Sequence, residues 1–83
     1  MSQYEKFLKT LLRGASDGNI RYSELCSFLK KLGFDARQKG RSHHIFTKDG
    51  VEEIVNLQER EGGKAKPYQV RQVREILSKY NLQ

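Results

Sequence analysis

Tyr4, Phe7, Leu8, Leu11 and Leu12 recur at i, i+3, i+4, i+7 and i+8, which is the spacing of one helical face. Ser2 stands at the cap position with Glu5 three residues later, the sequence form of a capping box. Gly14 supplies a left-handed stop. The turn-rich stretch GASDGN leads to a second helix, with Ser23 as its N-cap and Leu25, Cys26, Phe28, Leu29 and Leu32 as its apolar stripe. Gly33 ends that helix, and Phe34 folds back on its last turn. Cys26 lies on the stripe, so it reads as packing rather than as a nucleophile.

The period then changes. FDARQK is a polar first strand, SHHIFTK a second and VEEIVNL a third, with KDG between the last two as an Asp-Gly hairpin turn. Residues 58–66, QEREGGKAK, form a charged glycine-containing loop. Pro67 suits the first position of a final helix, in which Val70, Val73, Ile76, Leu77 and Tyr80 share one face while Arg71, Arg74 and Lys79 take others. The chain is expected to be a single α+β domain over 1–83. Residues 1–20 form an additional helix and loop. Residues 21–83 form an α-β-β-β-α core whose three-stranded antiparallel sheet carries helices on one face. The other sheet face is left partly open.

Composition narrows the function classes. Eighty-three residues make one small domain, and 36% hydrophobic with 31% charged residues suits a folded one. No apolar run approaches the roughly 20 residues of a membrane span, and MSQYEKFLKT has no signal-peptide apolar region. The single cysteine forms no intrachain disulfide framework or cysteine-based zinc cluster. A reducing cytoplasm is the expected location. A net charge of +6 favours a polyanionic or acidic partner: nucleic acid, an acidic protein or membrane phosphate.

The candidate chemistry lies in GRSHHIF, which holds both histidines of the chain. Side chains alternate along a strand, so His43, Ile45 and Thr47 share one face while His44, Phe46 and Lys48 share the other. Phe46 removes more apolar area than Ile45, which favours turning the Phe46 face to the helices and His43 to the open face; Ile45 also calls for burial, and a bulge at GRS would invert the parity. An imidazole can both take and return a proton at cellular pH, which makes His43 a candidate for acid–base work. Arg37, Lys39, Arg41 and Lys48 cluster around it in sequence and can neutralise a phosphorane-like transition state. RNA would bring its own nucleophile, the 2′-OH, so such a reaction needs neither a metal nor a covalent enzyme residue. The competing reading makes both histidines ordinary strand residues. A metal site fits less well, because adjacent strand side chains diverge and no second His/Cys cluster completes a tetrahedron.

LCSFLKKLGFDARQKGRSHHIFTKDG, continuing through VEEIVNLQ to KPYQVRQVREIL, resembles the HicA family of toxins from bacterial type II toxin–antitoxin systems. The matching features are a helix ending in LGF, a G-S-H-H element, a hairpin, and a terminal helix opened by a basic-Pro segment. Together they cover roughly residues 23–80. The resemblance implies a double-stranded-RNA-binding-domain-like fold and a ribosome-independent, metal-independent mRNA interferase, an endoribonuclease associated with stress response. It also implies a HicB-type antitoxin partner that blocks the active site.

Carried over by position, Ser42-His43 matches the family's GSH element and makes His43 the catalytic candidate. Arg41 stands where the family has glycine directly before serine. An inserted residue there shifts strand register, which makes His44 the alternative. RNA contacts are expected from Arg37, Lys39, Arg41, Ser42 and Lys48, and along a track through Lys64, Lys66, Arg71 and Arg74. A solvated helix face explains any one of those last four equally well. No cofactor, small molecule or membrane is expected. The alternative function is a non-catalytic RNA-binding module, which needs the basic surface but no histidine.

Overall fold

The computed structural model describes residues 2–40 and 43–82. Helix α1 (Gln3–Arg13) starts where the Ser2 hydroxyl accepts the Glu5 N–H at 3.2 Å, and ends at Gly14 in a left-handed conformation. A 3-10 turn at Asp17–Asn19 leads to α2 (Tyr22–Lys31). Strands β1 (Asp35–Lys39), β2 (His43–Lys48), β3 (Val51–Arg60) and β4 (Lys64–Ala65) follow, then α3 (Pro67–Tyr80). The sheet is antiparallel throughout, in the order β1-β2-β3-β4.

Three helices and one antiparallel sheet give the α+β class, broadly in the α-β-β-β-α layout of a double-stranded-RNA-binding domain. Phe46, Val55 and Leu57 from the sheet, Leu25 and Leu29 from α2, and Val70, Val73 and Leu77 from α3 are fully buried together. Leu11 brings α1 into the same core, and Tyr4 stacks on Phe28 while Phe7 meets it at a tilt, each with ring centroids 5.1 Å apart. The helices cover one sheet face and leave the other open.

Two boundaries differ from the sequence pattern. Helix α2 begins at Tyr22, with Arg21 as N-cap, rather than after a Ser23 cap. The Tyr22 N–H donates to the Gly63 carbonyl at 2.9 Å, and its ring is buried, so a distant hairpin sets the helix start. The segment 58–66 is not a loop throughout. β3 runs on to Arg60, Gly62 and Gly63 turn the chain at φ 83° and 73°, and Lys64–Ala65 returns as a fourth, two-residue strand. Positive φ at both positions needs glycine. The buried Ala65 then donates its N–H to Ile20 at 2.8 Å, a long-range pairing that local periodicity does not encode.

The end of α2 follows the sequence. Gly33, at φ 101°, donates to the Lys30 carbonyl, and Phe34 donates to Leu29 at 3.0 Å. That is a Schellman closure with Phe34 folded into the core.

Candidate functional site

Strand β2 begins at His43, and its side chains divide as period two requires. His43 and Thr47 are exposed, Phe46 is fully buried, and His44 is half-buried on the Phe46 side. The register then assembles the open face row by row. His43 lies between Lys39 of β1 and Gln58 of β3. The next row is Arg37, Ile45 and Asn56. Asp35 lies opposite Thr47 beyond that.

Gln58 is a consequence of a bulge. Between Phe46 and Lys48, β2 advances two residues while β3 advances four, from Val55 back to Val51. Counting evenly from the Lys48–Val51 pair would put Asn56 opposite His43; the two extra residues substitute Gln58. A shift of two preserves facing, so the bulge changes His43's neighbour without turning any side chain over.

Several side chains fix this row. Lys66, the N-cap residue of α3, donates from Nζ to Gln58 Oε1 at 2.8 Å, so a cation sits at the far end of the row from Lys39. Gln69 holds the strand itself. It is 3% exposed, yet its amide is fully used. Oε1 accepts the Gln58 N–H at 3.3 Å, and Nε2 donates to the Asn56 carbonyl at 2.9 Å. The side-chain amide thus stands in for a paired peptide where β4 is too short to reach, satisfying two backbone groups of β3 beside the His43 row.

His44 is tied to the scaffold on the other face. Its Nδ1 lies 2.7 Å from the Tyr22 hydroxyl, which donates to the Leu57 carbonyl at 3.1 Å. A carbonyl has no proton to offer, so the hydroxyl proton goes there and Nδ1 carries the proton of the second contact. The ring also stacks on Phe46 with centroids 6.2 Å apart. Burial pushes the Tyr22 phenol well above its ordinary range, keeping it neutral. Burial likewise raises the Cys26 thiol, which suits packing and not nucleophilic attack.

The remaining sequence candidates separate by place. Arg37 and Lys39 share the His43 face, and Lys66 reaches it through Gln58. Lys48 is at the other end of β2, about 16 Å away at roughly 3.3 Å per residue. It is on the helix-side parity with its ammonium over Gly33. Lys64 is engaged by Asn19 Oδ1.

Arg71 is exposed on the helix layer, where its charge acts on Asp17. Arg74 forks onto Asp17 with two contacts of 2.9 Å and donates to the Leu11 carbonyl at 3.0 Å, so its guanidinium clamps α3 to α1 and the 3-10 turn. That guanidinium holds the Asp17 carboxyl below the usual range. Neither Arg71 nor Arg74 is brought to the His43 row. Arg41 and Ser42 lie outside the described residues.

Charge is also segregated along the sheet. Lys39, Arg60, Lys64 and Lys66 outnumber Glu59 and Glu61 at the His43 end, whereas Asp35, Asp49, Glu52 and Glu53 outnumber Lys48 at the hairpin end. Among the described residues no group of three His, Cys, Asp or Glu side chains is placed to hold a metal ion, and no helix is long and apolar enough to cross a membrane.

A family model described as the HicA toxin of bacterial toxin–antitoxin systems matches residues 22–78. The match begins at the first residue of α2 and ends in the last turn of α3, so α1 and the 3-10 turn lie outside it. No curated protein and no solved structure matches the chain.

Proposed function

The chain belongs to the HicA family, toxins of bacterial toxin–antitoxin pairs, and on that premise we propose that it is an endoribonuclease whose proton-transfer group is His43. The observation that carries this reading is the row Lys39–His43–Gln58 on the open sheet face, with Lys39 and His43 exposed and Lys66 bonded to the half-buried Gln58. An exposed imidazole between two cations, with an amide beside it, suits a phosphodiester. Lys39 and Lys66 neutralise the phosphate oxygens, and the Gln58 Nε2 group supplies a neutral donor.

His43, as base, takes the proton of the ribose 2′-OH. The freed oxygen attacks the adjacent phosphorus, and the 5′-oxygen leaves as it gains a proton. The nucleophile belongs to the substrate, so the protein needs only to place the phosphate and move protons. Histidine acid–base help is worth on the order of 10²–10⁴ in rate. His44 serves the fold through Tyr22, and its face of the sheet is the helix side. A HicB-type antitoxin neutralises the toxin by covering the open face.

The test is induction of wild-type and His43→Ala protein in cells, with and without the antitoxin, alongside incubation of each purified protein with RNA. Wild type is expected to arrest growth and cut RNA, and the antitoxin to relieve the arrest. His43→Ala is expected to stay folded and do neither. RNA binding by wild type with no scission would make the domain a non-catalytic binder. A His43→Ala protein as toxic as wild type, with His44→Ala inactive, would move the chemistry to His44.

A further inference from the structure

Tyr68 is 57% exposed and, with Ile54, is one of the large hydrophobic side chains left in solvent among the described residues. The two have different surroundings. Ile54 lies within the bulged segment of β3, among Asp35, Arg37 and Thr47. Tyr68 sits in the first turn of α3, directly after Lys66 and Pro67. Its hydroxyl is 3.5 Å from Gln69 Nε2, the same nitrogen that donates to the Asn56 carbonyl. The polar end of the ring therefore comes to the edge of β3 at Asn56–Gln58, the segment opposite Ile45 and His43. That edge is about one strand spacing, ~4.8 Å, from β2.

Helix α3 holds the ring in place by its backbone. Pro67 fixes the helix entry, and the buried Gln69 and Val70 anchor the turn immediately after it. A tyrosine on an anchored backbone has only two side-chain torsions to lose when a partner covers it, and its polar tip already has a neighbour. Lys66, two residues earlier, directs its ammonium to Gln58. An exposed aromatic face beside a line of cations is the pairing by which proteins hold single-stranded nucleic acid: the cations take the phosphates and the ring takes a base.

We propose that Tyr68 is a base-stacking residue, receiving the nucleobase next to the phosphate held at the His43 row and favouring a purine there for its larger stacking face. This rests on the RNA-cleaving reading above and adds to it the groove's second element and a source of base preference. Tyr68 contacts the substrate away from the reacting atoms, so it acts on binding rather than on the proton transfer.

The experiment measures binding of short single-stranded RNAs to His43→Ala protein, in which scission is blocked, with Tyr68 intact or changed to Ala or Phe. Tyr68→Ala is expected to weaken binding about tenfold to a hundredfold, and Tyr68→Phe to bind as the parent does, because the ring face and not the hydroxyl carries the contact. An oligonucleotide lacking the base at the stacked position should bind the parent and the Tyr68→Ala protein equally. In the active protein Tyr68→Ala should raise KM with kcat retained, and the purine preference should fade. Ile54→Ala serves as the exposed-apolar control and is expected to leave RNA binding unchanged.

Equal binding of intact RNA by the parent and Tyr68→Ala, in a protein whose wild type cuts RNA, overturns the inference and spares the nuclease reading. Loss of antitoxin binding alone on Tyr68→Ala gives the ring to the protein interface and overturns it too. A wild type that neither binds nor cuts RNA overturns both.

Discussion

Replacing Gln69 by leucine removes the amide while keeping most of its volume. Two backbone groups of β3 then lose their partner: the Asn56 carbonyl, bonded at 2.9 Å, and the Gln58 N–H, bonded at 3.3 Å. Leaving a buried polar group unsatisfied costs about 1–3 kcal/mol. The longer bond belongs at the low end of that range, and the leucine returns some apolar burial, so the expected net loss is ~2–3 kcal/mol. A domain of this length is stable by only about 4–12 kcal/mol. With a urea m-value near 1–3 kcal/mol/M for a small protein, the midpoint should fall by roughly 0.7–3 M with m unchanged.

Gln69→Glu sharpens the test. A carboxylate still accepts the Gln58 N–H but faces the Asn56 carbonyl with no proton, whereas the protonated acid can donate there. Burial and the carbonyl raise that carboxyl above its value in the unfolded chain. The folded state then binds more protons than the unfolded one, so stability falls as pH rises. Relative to wild type, Gln69→Glu should be close to native below about pH 4 and progressively weaker towards neutrality. A Gln69→Leu midpoint within about 0.2 M of wild type, or a Gln69→Glu difference independent of pH, would refute the role of this amide as a surrogate strand.

Two further outcomes follow from the charges. Glu53 is held at a pKa of about 2 by the Tyr80 hydroxyl at 2.6 Å and by Lys79 at 2.9 Å. A depressed carboxyl contributes stability above its unfolded value of 4.5, and that stability is lost as pH falls towards 2. Glu53→Gln should therefore flatten the acid limb of a thermal-melt profile between pH 4.5 and 2, and an unchanged limb would count against the link. In RNA binding, Lys39→Gln should reduce the slope of log K against log salt by about 0.7, one single-strand phosphate contact; Arg74→Gln, whose guanidinium serves Asp17, should leave that slope unaltered.

Much of the fold is legible along the chain because its signals are local. A cap hydroxyl, a left-handed glycine and an apolar stripe act within a turn or two, and α1, α3 and the end of α2 follow from them. The division of His43 from His44 is local in the same sense. Period two forces neighbours apart, and Phe46 identifies the buried side whatever packs on it. The short strand β4 and the start of α2 are not local: each depends on backbone bonds between segments around 20 and 64.

The candidate site was half visible on the same terms. His43, Lys39 and Arg37 share one β-hairpin ladder and could be named from the sequence. Gln58 could not, because the turn residues imply Asn56 opposite His43 and only the bulge substitutes its neighbour. Gln69 and Tyr22 carry no sequence signal of their function. Each is an ordinary helix residue until the sheet edge or His44 is laid against it.

Cations show the limit most clearly. Arg71, Arg74, Lys39 and Lys66 are equivalent as positive charges in a basic chain. Residue order alone specifies a small, strongly basic α+β domain with one histidine turned outward. Which charges accompany that histidine is a matter of long-range packing, which sends Arg74 to Asp17, 57 residues away, and Lys66 to Gln58. Helical and strand periods arise from the backbone of each residue and its nearest neighbours, whereas the partner of a long flexible side chain depends on where distant segments come to rest.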